Sequence, residues 1–340
     1  MSDRVPRTAS VAVPSPSSAN RRAIRWLSLA FAAIGLALLV ETVRRVGWAE
    51  VRAGVGSVGW WFGAIVALGG LRFAARARSW VACAGESSFR TGRAFEAALA
   101  GDALGNLTPL GLLASEPTKV LLTRRYLSTP QAVSSVAVDN VFYILSVLVM
   151  VAAGTLVFLR RAGVPDALRT GADLVLAGVG LALAFAVLVA RHRPAVLSWL
   201  AATGARLLQR PERTTEFLRD LEARFYGLLE WPAGRLARVV AWQAAFHAAA
   251  VVEVYLILVL LPGSAHATIV DAFVLETAGR LITVVFKFVP YRLGVDEAGS
   301  ALVARMLALD PTAGVTLALI RRLRILSWNA VGLALLARAR

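Results

Sequence analysis

Residues 133–158 read VSSVAVDNVFYILSVLVMVAAGTLVF, with Asp139 as the one charged side chain in the run. A helix rises 1.5 Å per residue, so about 20 apolar residues cross the ~30 Å hydrocarbon core of a bilayer. This run is long enough. Runs approaching that length occupy 26–43, 57–75, 172–190 and 239–261. Two further regions, 92–127 and 270–309, are apolar but interrupted. The last run, 312–337, carries Arg321, Arg322 and Arg324 in its middle.

Composition agrees. The 340-residue chain is 58% hydrophobic and only 17% charged, with a mean hydropathy of +0.66. An ordinary soluble domain is about 25% charged. The expected fold class is therefore all-α, a polytopic integral membrane helix bundle. A disordered chain, a disulfide scaffold and a coiled coil are excluded. A lone Cys83 allows neither an intrachain disulfide nor an all-cysteine metal site. With three histidines besides, no metal and no cofactor are expected. The net charge of +16 would suggest nucleic acid in a soluble protein. In a membrane protein it is explained by basic cytoplasmic loops, and no nucleic-acid partner is expected.

Loop charges set an expected orientation. Residues 1–20 are rich in Ser, Pro and Ala and read as a disordered cytoplasmic tail, with the membrane domain filling 21–340. Arg21, Arg22 and Arg25 precede the first run, which reads as a signal-anchor helix with its N-terminus inside. The 191–238 loop holds nine arginines and belongs in the cytoplasm, with 195–230 as amphipathic helix on the anionic leaflet. Arg72, Arg76 and Arg78 are assigned to the same side. Pro262–Thr268 has no Lys or Arg and reads as external. Most tryptophans, including Trp60, Trp80, Trp231, Trp242 and Trp328, flank the runs as an interfacial belt would.

An internal repeat organises the rest. Pro109 is followed by Glu116, Pro130 and Ala132; Pro290 is followed by Glu297, Pro311 and Ala313, each 181 residues further on. The same offset relates halves at about 57–158 and 238–339. Corresponding spans then run in opposite directions, so the repeat is inverted, the arrangement of many transporters. Segments 92–127 and 270–309 become two re-entrant helical hairpins turning at Pro109 and at Pro290 and Gly294. About six full spans plus these hairpins result, in the cell membrane, with both termini cytoplasmic.

Charge inside apolar segments is the functional signal. Asp102, Glu116, Lys119, Asp139, Glu253, Glu276, Arg280, Lys287, Arg292, Asp296, Glu297, Arg321, Arg322 and Arg324 all fall there. Three mid-helix arginines cost roughly 7–10 kcal/mol at the bilayer centre, while the eleven large aliphatics of 313–337 return about 3–7. The last helix must turn its arginines to protein, water or ligand. Glu276, Arg280, Thr283 and Lys287 share one helix face, and Arg321 and Arg324 another. Such a set builds a cationic cavity for an anionic head group, with Arg holding phosphate bidentately. The plainer alternative is that the charges pair among themselves and hold the bundle together. His247 and Glu253, six apart, match one helix face poorly.

Two stretches carry a family resemblance. Gly101-Asp-Ala-Leu-Gly-Asn106-Leu-Thr-Pro109 with Glu116-Pro-Thr-Lys119 and Asp139 is one; Pro290-Tyr-Arg-Leu-Gly294-Val-Asp-Glu297 with Arg321 and Arg322 is the other. They resemble the transmembrane region of the lysylphosphatidylglycerol synthase family, also described as a flippase-like membrane family. The sequence departs from that pattern at Leu112-Leu113, where the family has Gly-Gly, and at Lys119, where it has Arg. The resemblance implies a lipid-handling membrane protein. Full-length synthases add a soluble catalytic domain, and this chain ends at Arg340, so aminoacyl transfer is not expected and the chain is not expected to be an enzyme.

The first functional expectation is translocation of an anionic lipid or lipid-linked head group between leaflets. Asn106, Glu116, Lys119, Asp139, Glu276, Arg280, Lys287, Arg292, Asp296, Glu297, Arg321, Arg322 and Arg324 are the expected substrate-binding residues. The cationic residues suit an anionic phospholipid, and the family resemblance adds a polyprenyl-phosphate-linked sugar or a hopanoid-type lipid as expected partners. The second is a non-transporting subunit that presents lipid to a membrane glycosyltransferase or lipid-synthesis enzyme. The third, weaker, is an integral lipid-modifying enzyme using Asp139 or Asp296.

Overall fold

In a computed structural model, the described residues are 44, 48–107, 111–160, 166–193, 220–264, 266–286, 292 and 294–338. The run 26–43, the tail 1–20 and most of the 191–238 loop lie outside them, as do Pro109, Lys287 and Pro290. Among the described residues ten α-helices follow one another: α1 Trp48–Val58, α2 Phe62–Ala84, α3 Thr91–Leu107, α4 Gly111–Thr123, α5 Thr129–Leu159, α6 Asp166–His192, α7 Ala233–Leu260, α8 Ile269–Val285, α9 Val295–Met306 and α10 Pro311–Arg338. Among the described residues there is no strand. The chain is an all-α bundle.

Among the described residues, four helical stretches are long and apolar enough to cross a bilayer: Val55–Ala84, Thr129–Leu159, Asp166–His192 and Ala233–Leu260. A fifth long helix, α10, spans 28 residues. It is set apart by its arginines. The broken segments become helical pairs, α3 packed on α4 and α8 packed on α9. With 13 residues in α4 and 12 in α9, these helices rise only about 18–20 Å, short of a full crossing.

Local chemistry sets the element ends. Ser128 and Gln131 form a reciprocal capping box at the start of α5, with Pro130 in the first turn, where its missing N–H costs nothing. Thr268 and Asp271 do the same for α8. Gly85 ends α2 at φ +71, a left-handed conformation that glycine adopts without strain.

Shifted by 181 residues, the ends of α5 fall at 310 and 340, against 311 and 338 for α10. Those of α3 fall at 272 and 288, against 269 and 285 for α8. The main apolar core lies between α2, α7, α8, α9 and α10, around Ile65, Ile257, Leu258, Leu275, Leu317 and Ile320. Small residues let helices close in. Gly332 of α10 lies so near α3 that a Cβ there would meet the Leu99 carbonyl and come within 2.9 Å of the Ala103 methyl. Close approach through small residues is how membrane helices gain packing when lipid offers no hydrophobic drive. Two tryptophans expected in the interfacial belt turn inward instead. Trp80 donates to the Ser135 hydroxyl at 2.9 Å and Trp328 to the Val66 carbonyl at 3.0 Å, so each indole N–H is satisfied inside.

Candidate polar site in the helix bundle

The three arginines of α10 explain the whole arrangement. An α-helix turns about 100° per residue, so Arg321, Arg322 and Arg324 leave the axis in different directions. Each takes a carboxylate on a different helix. Arg321 Nη2 lies 2.6 Å from Glu276 Oε2 on α8. Arg322 pairs with Glu297 on α9. Arg324 Nε lies 3.1 Å from Glu253 Oε1 on α7. Glu253, Glu276 and Glu297 are each wholly buried. The arginines thus turn to protein, as the insertion cost demands.

Each carboxylate has a second partner. Glu276 Oε1 accepts from Arg280 Nε at 2.8 Å, the i, i+4 pairing its spacing allows. Glu297 Oε2 accepts from the Gly294 backbone N–H at 2.8 Å and caps α9; Gly294 has φ +76. Glu253 Oε2 accepts from Arg72 Nη1 of α2 at 2.9 Å. Arg72 and Glu253 stand 181 residues apart, the repeat offset itself. The guanidinium carbons of Arg72 and Arg280 each stand 5.0 Å from the centroid of the Phe246 ring, which joins the two clusters.

Charge does not balance in this central set. Arg72, Arg280, Arg321 and Arg324 face Glu253 and Glu276, four positive charges against two negative ones. A buried guanidinium without its own counter-ion is costly, so an excess of two marks a place where an anion is favoured.

A second polar chain runs through the first half. Asp139 Oδ2 lies 2.8 Å from Arg76 Nη2, and its Oδ1 accepts from Ser79 Oγ at 2.7 Å. Gln243 Nε2 donates to Ser79 Oγ at 2.9 Å. Beside it, Asn140 Nδ2 donates to Glu116 Oε2 at 3.0 Å. Lys119 Nζ reaches Glu116 Oε1 at 3.3 Å and Asp102 Oδ1 at 2.8 Å. Tyr143 links the two chains: Arg76 lies over its ring at 4.3 Å, and its hydroxyl accepts from Arg280 Nη1 at 3.2 Å.

Of the expected site residues, the structure brings together Glu276, Arg280, Arg321 and Arg324 in one cluster. It places Glu116, Lys119 and Asp139 in the other chain. Glu297 and Arg322 form a separate pair. Arg292 and Asp296 pair with each other at 3.1 Å, and Arg292 has φ 49. Asn106 donates to Asn329 Oδ1 at 3.0 Å, tying α3 to α10. Thr283 donates back to the Gly279 carbonyl within α8. His247 pairs with Ser146 at 2.9 Å and not with Glu253.

Sequence reasoning missed Arg72 and Arg76. Read as cytoplasmic charges, they lie instead within α2, because the helix continues to Ala84 and both arginines find carboxylates on neighbouring helices. The 181-residue relation of Arg72 to Glu253 was the available signal. Tyr143, Gln243 and Phe246 gave none, being ordinary residues of apolar runs. Among the described residues no three His, Cys, Asp or Glu side chains stand together to hold a metal ion.

Fold and site together define a polytopic helical membrane protein with a buried, charge-unbalanced polar interior. Over residues 25–332 the chain matches the family described as lysylphosphatidylglycerol synthase TM region, and it belongs to that family. No curated protein and no solved structure matches it. Membership makes the chain a lipid-related membrane protein.

Proposed function

We propose that this protein moves the head group of an anionic lipid between leaflets through its polar interior, without altering the lipid chemically. The observation that carries this reading is the excess of two guanidiniums around Glu253 and Glu276. Arginine binds phosphate oxygens through paired N–H groups, so the excess suits a phosphate-bearing head group while the acyl tails stay in lipid. The short helical pairs α3/α4 and α8/α9 enter from opposite sides of the membrane as halves of an inverted repeat.

The test is reconstitution in liposomes carrying a fluorescent anionic phospholipid, with external bleaching reporting the inner leaflet. The Glu297→Gln variant uncouples Arg322 and weakens the Gly294 cap. Loss of translocation in a folded, normally expressed variant is the expected result; a wild-type rate refutes the assignment. In this reading the protein sits in the cell membrane with both termini in the cytoplasm. A cysteine replacing exposed His266 then labels from outside and one replacing exposed Ala223 from inside. Reversed labelling overturns the orientation.

A further inference from the structure

The two carboxylate–arginine clusters differ in one respect. Around Glu253, both guanidinium side chains are sealed: Arg72 is 9% exposed and Arg324 8%. Around Glu276, Arg280 is equally sealed at 9%, but Arg321 is 20% exposed. Arg280 is also tied to the Tyr143 hydroxyl, so Glu276 keeps a firm partner whatever Arg321 does. Arg321 reaches Glu276 Oε2 through Nη2, and its Nη1 lies over the bare face of Gly279, 3.3 Å from where a Cβ would stand. The next residue, Arg322, holds α10 to α9 independently through Glu297.

From this asymmetry we infer that Arg321 is an exchangeable arginine: a phosphate oxyanion displaces the Glu276 carboxylate from it, and Glu276 serves as the resident stand-in for the ligand. The inference rests on the lipid-handling reading above and names its contact atom. A guanidinium offers five N–H donors in a planar fork that matches carboxylate and phosphate alike, so one can replace the other without rearranging the arginine. Exchange leaves Glu276 on Arg280 and gives the ligand Arg321. It releases α10 from α8 while Arg322 still anchors α10 to α9. Ligand entry and loosening of the α8–α10 contact become one event.

The sign of the carboxylate mutation separates this from a static ion pair. The full chain is placed in phosphatidylcholine nanodiscs and titrated with phosphatidic acid, bound lipid being read by native mass spectrometry. A parallel arm uses inorganic phosphate, read by the shift in thermal unfolding. Arg321→Ala is expected to weaken binding about tenfold or more, and Arg321→Lys, which keeps the charge but not the fork, by a smaller factor. Glu276→Gln removes the internal competitor and is expected to tighten binding. Folded Glu276→Gln that binds more weakly than wild type overturns the exchange, as do Arg321 variants that bind like wild type. Should Glu276→Gln fail to fold, the Ala and Lys variants at Arg321 decide alone. An Arg321-dependent shift with inorganic phosphate but not with phosphatidic acid supports the exchange and assigns a soluble anion as the source. Wild-type translocation by Arg321→Ala refutes the exchange and leaves the translocation reading standing. Arg321-dependent binding by a protein that does not translocate has the opposite effect.

Discussion

Glu253 offers the sharpest test of how this bundle is held together. Its carboxylate is wholly buried between two guanidiniums, Arg72 Nη1 at 2.9 Å and Arg324 Nε at 3.1 Å. Glu253→Gln keeps the shape and removes the charge. It leaves two buried arginines on different helices without a counter-ion and turns an amide N–H₂ donor toward them. Breaking a buried pair from one side costs about 3–5 kcal/mol, and with two arginines depending on one carboxylate the upper end is expected. That is a large share of the ~5–15 kcal/mol that typically separates folded from unfolded protein. The assay is unfolding in mixed micelles by increasing sodium dodecyl sulfate, followed by tryptophan emission. A triple variant, Arg72→Met with Glu253→Leu and Arg324→Met, serves as the control. Removing the whole charge set for apolar groups of similar size is expected to recover most of the loss, because it leaves no charge stranded. A Glu253→Gln protein within about 1 kcal/mol of wild type would refute the reasoning, since it would mean water or other groups already solvate these arginines.

Two further outcomes follow from packing and from the Tyr143 link. Gly314 of α10 lies against the backbone of α9, where a Cβ would stand 2.5 Å from the Ser300 carbonyl carbon and 2.7 Å from the Ala301 nitrogen. Backbone cannot rotate aside, so Gly314→Ala must part α9 from α10 and is expected to cost about 1–3 kcal/mol in the same unfolding assay; an unchanged midpoint contradicts the close approach. Tyr143→Phe keeps the ring under Arg76 and removes the acceptor of Arg280 Nη1, and is expected to cost about 1–3 kcal/mol. Tyr143→Leu, which also loses the ring, is expected to cost more, and equal losses would show that the ring contributes nothing.

Much of the fold was legible because hydropathy and spacing are local properties. The apolar runs at 57–75, 133–158, 172–190 and 239–261 became long helices, while the run 26–43 and the prolines Pro109 and Pro290 lie outside the described residues. The 181-residue offset, found from prolines and glutamates, lays the ends of α5 within two residues of those of α10. What was not legible is where charges find partners. The 57–75 run stops short of Arg76 and Arg78, yet α2 continues to Ala84. The carboxylates that neutralise Arg72 and Arg76, Glu253 and Asp139, arrive from α7 and α5. A window along the sequence charges the full insertion cost of an arginine and cannot see a counter-ion that comes from another helix. The same blindness made Trp80 and Trp328 look like belt residues, since the acceptors that satisfy them inside lie on other helices.

Of the two readings of the buried charges made from sequence, pairing is what Glu253, Glu276 and Glu297 display. Buried ion pairs are weak sources of stability, because apolar residues of similar volume often do as well. A helix that spends three arginines on three carboxylates of α7, α8 and α9 therefore gains something other than stability from them. Under the exchange proposed for Arg321, the gain is that α10 is held by discrete links which open separately. The Glu253 link is sealed and has partners on both oxygens. The Glu297 link doubles as the cap of α9 and moves with that helix. Glu253 and Glu276 each keep a second arginine, Arg72 and Arg280, when the α10 partner leaves, but the α10 arginine on Glu276 is the most exposed of the three. An anion that competes for Arg321 frees one link of the three without stranding a carboxylate.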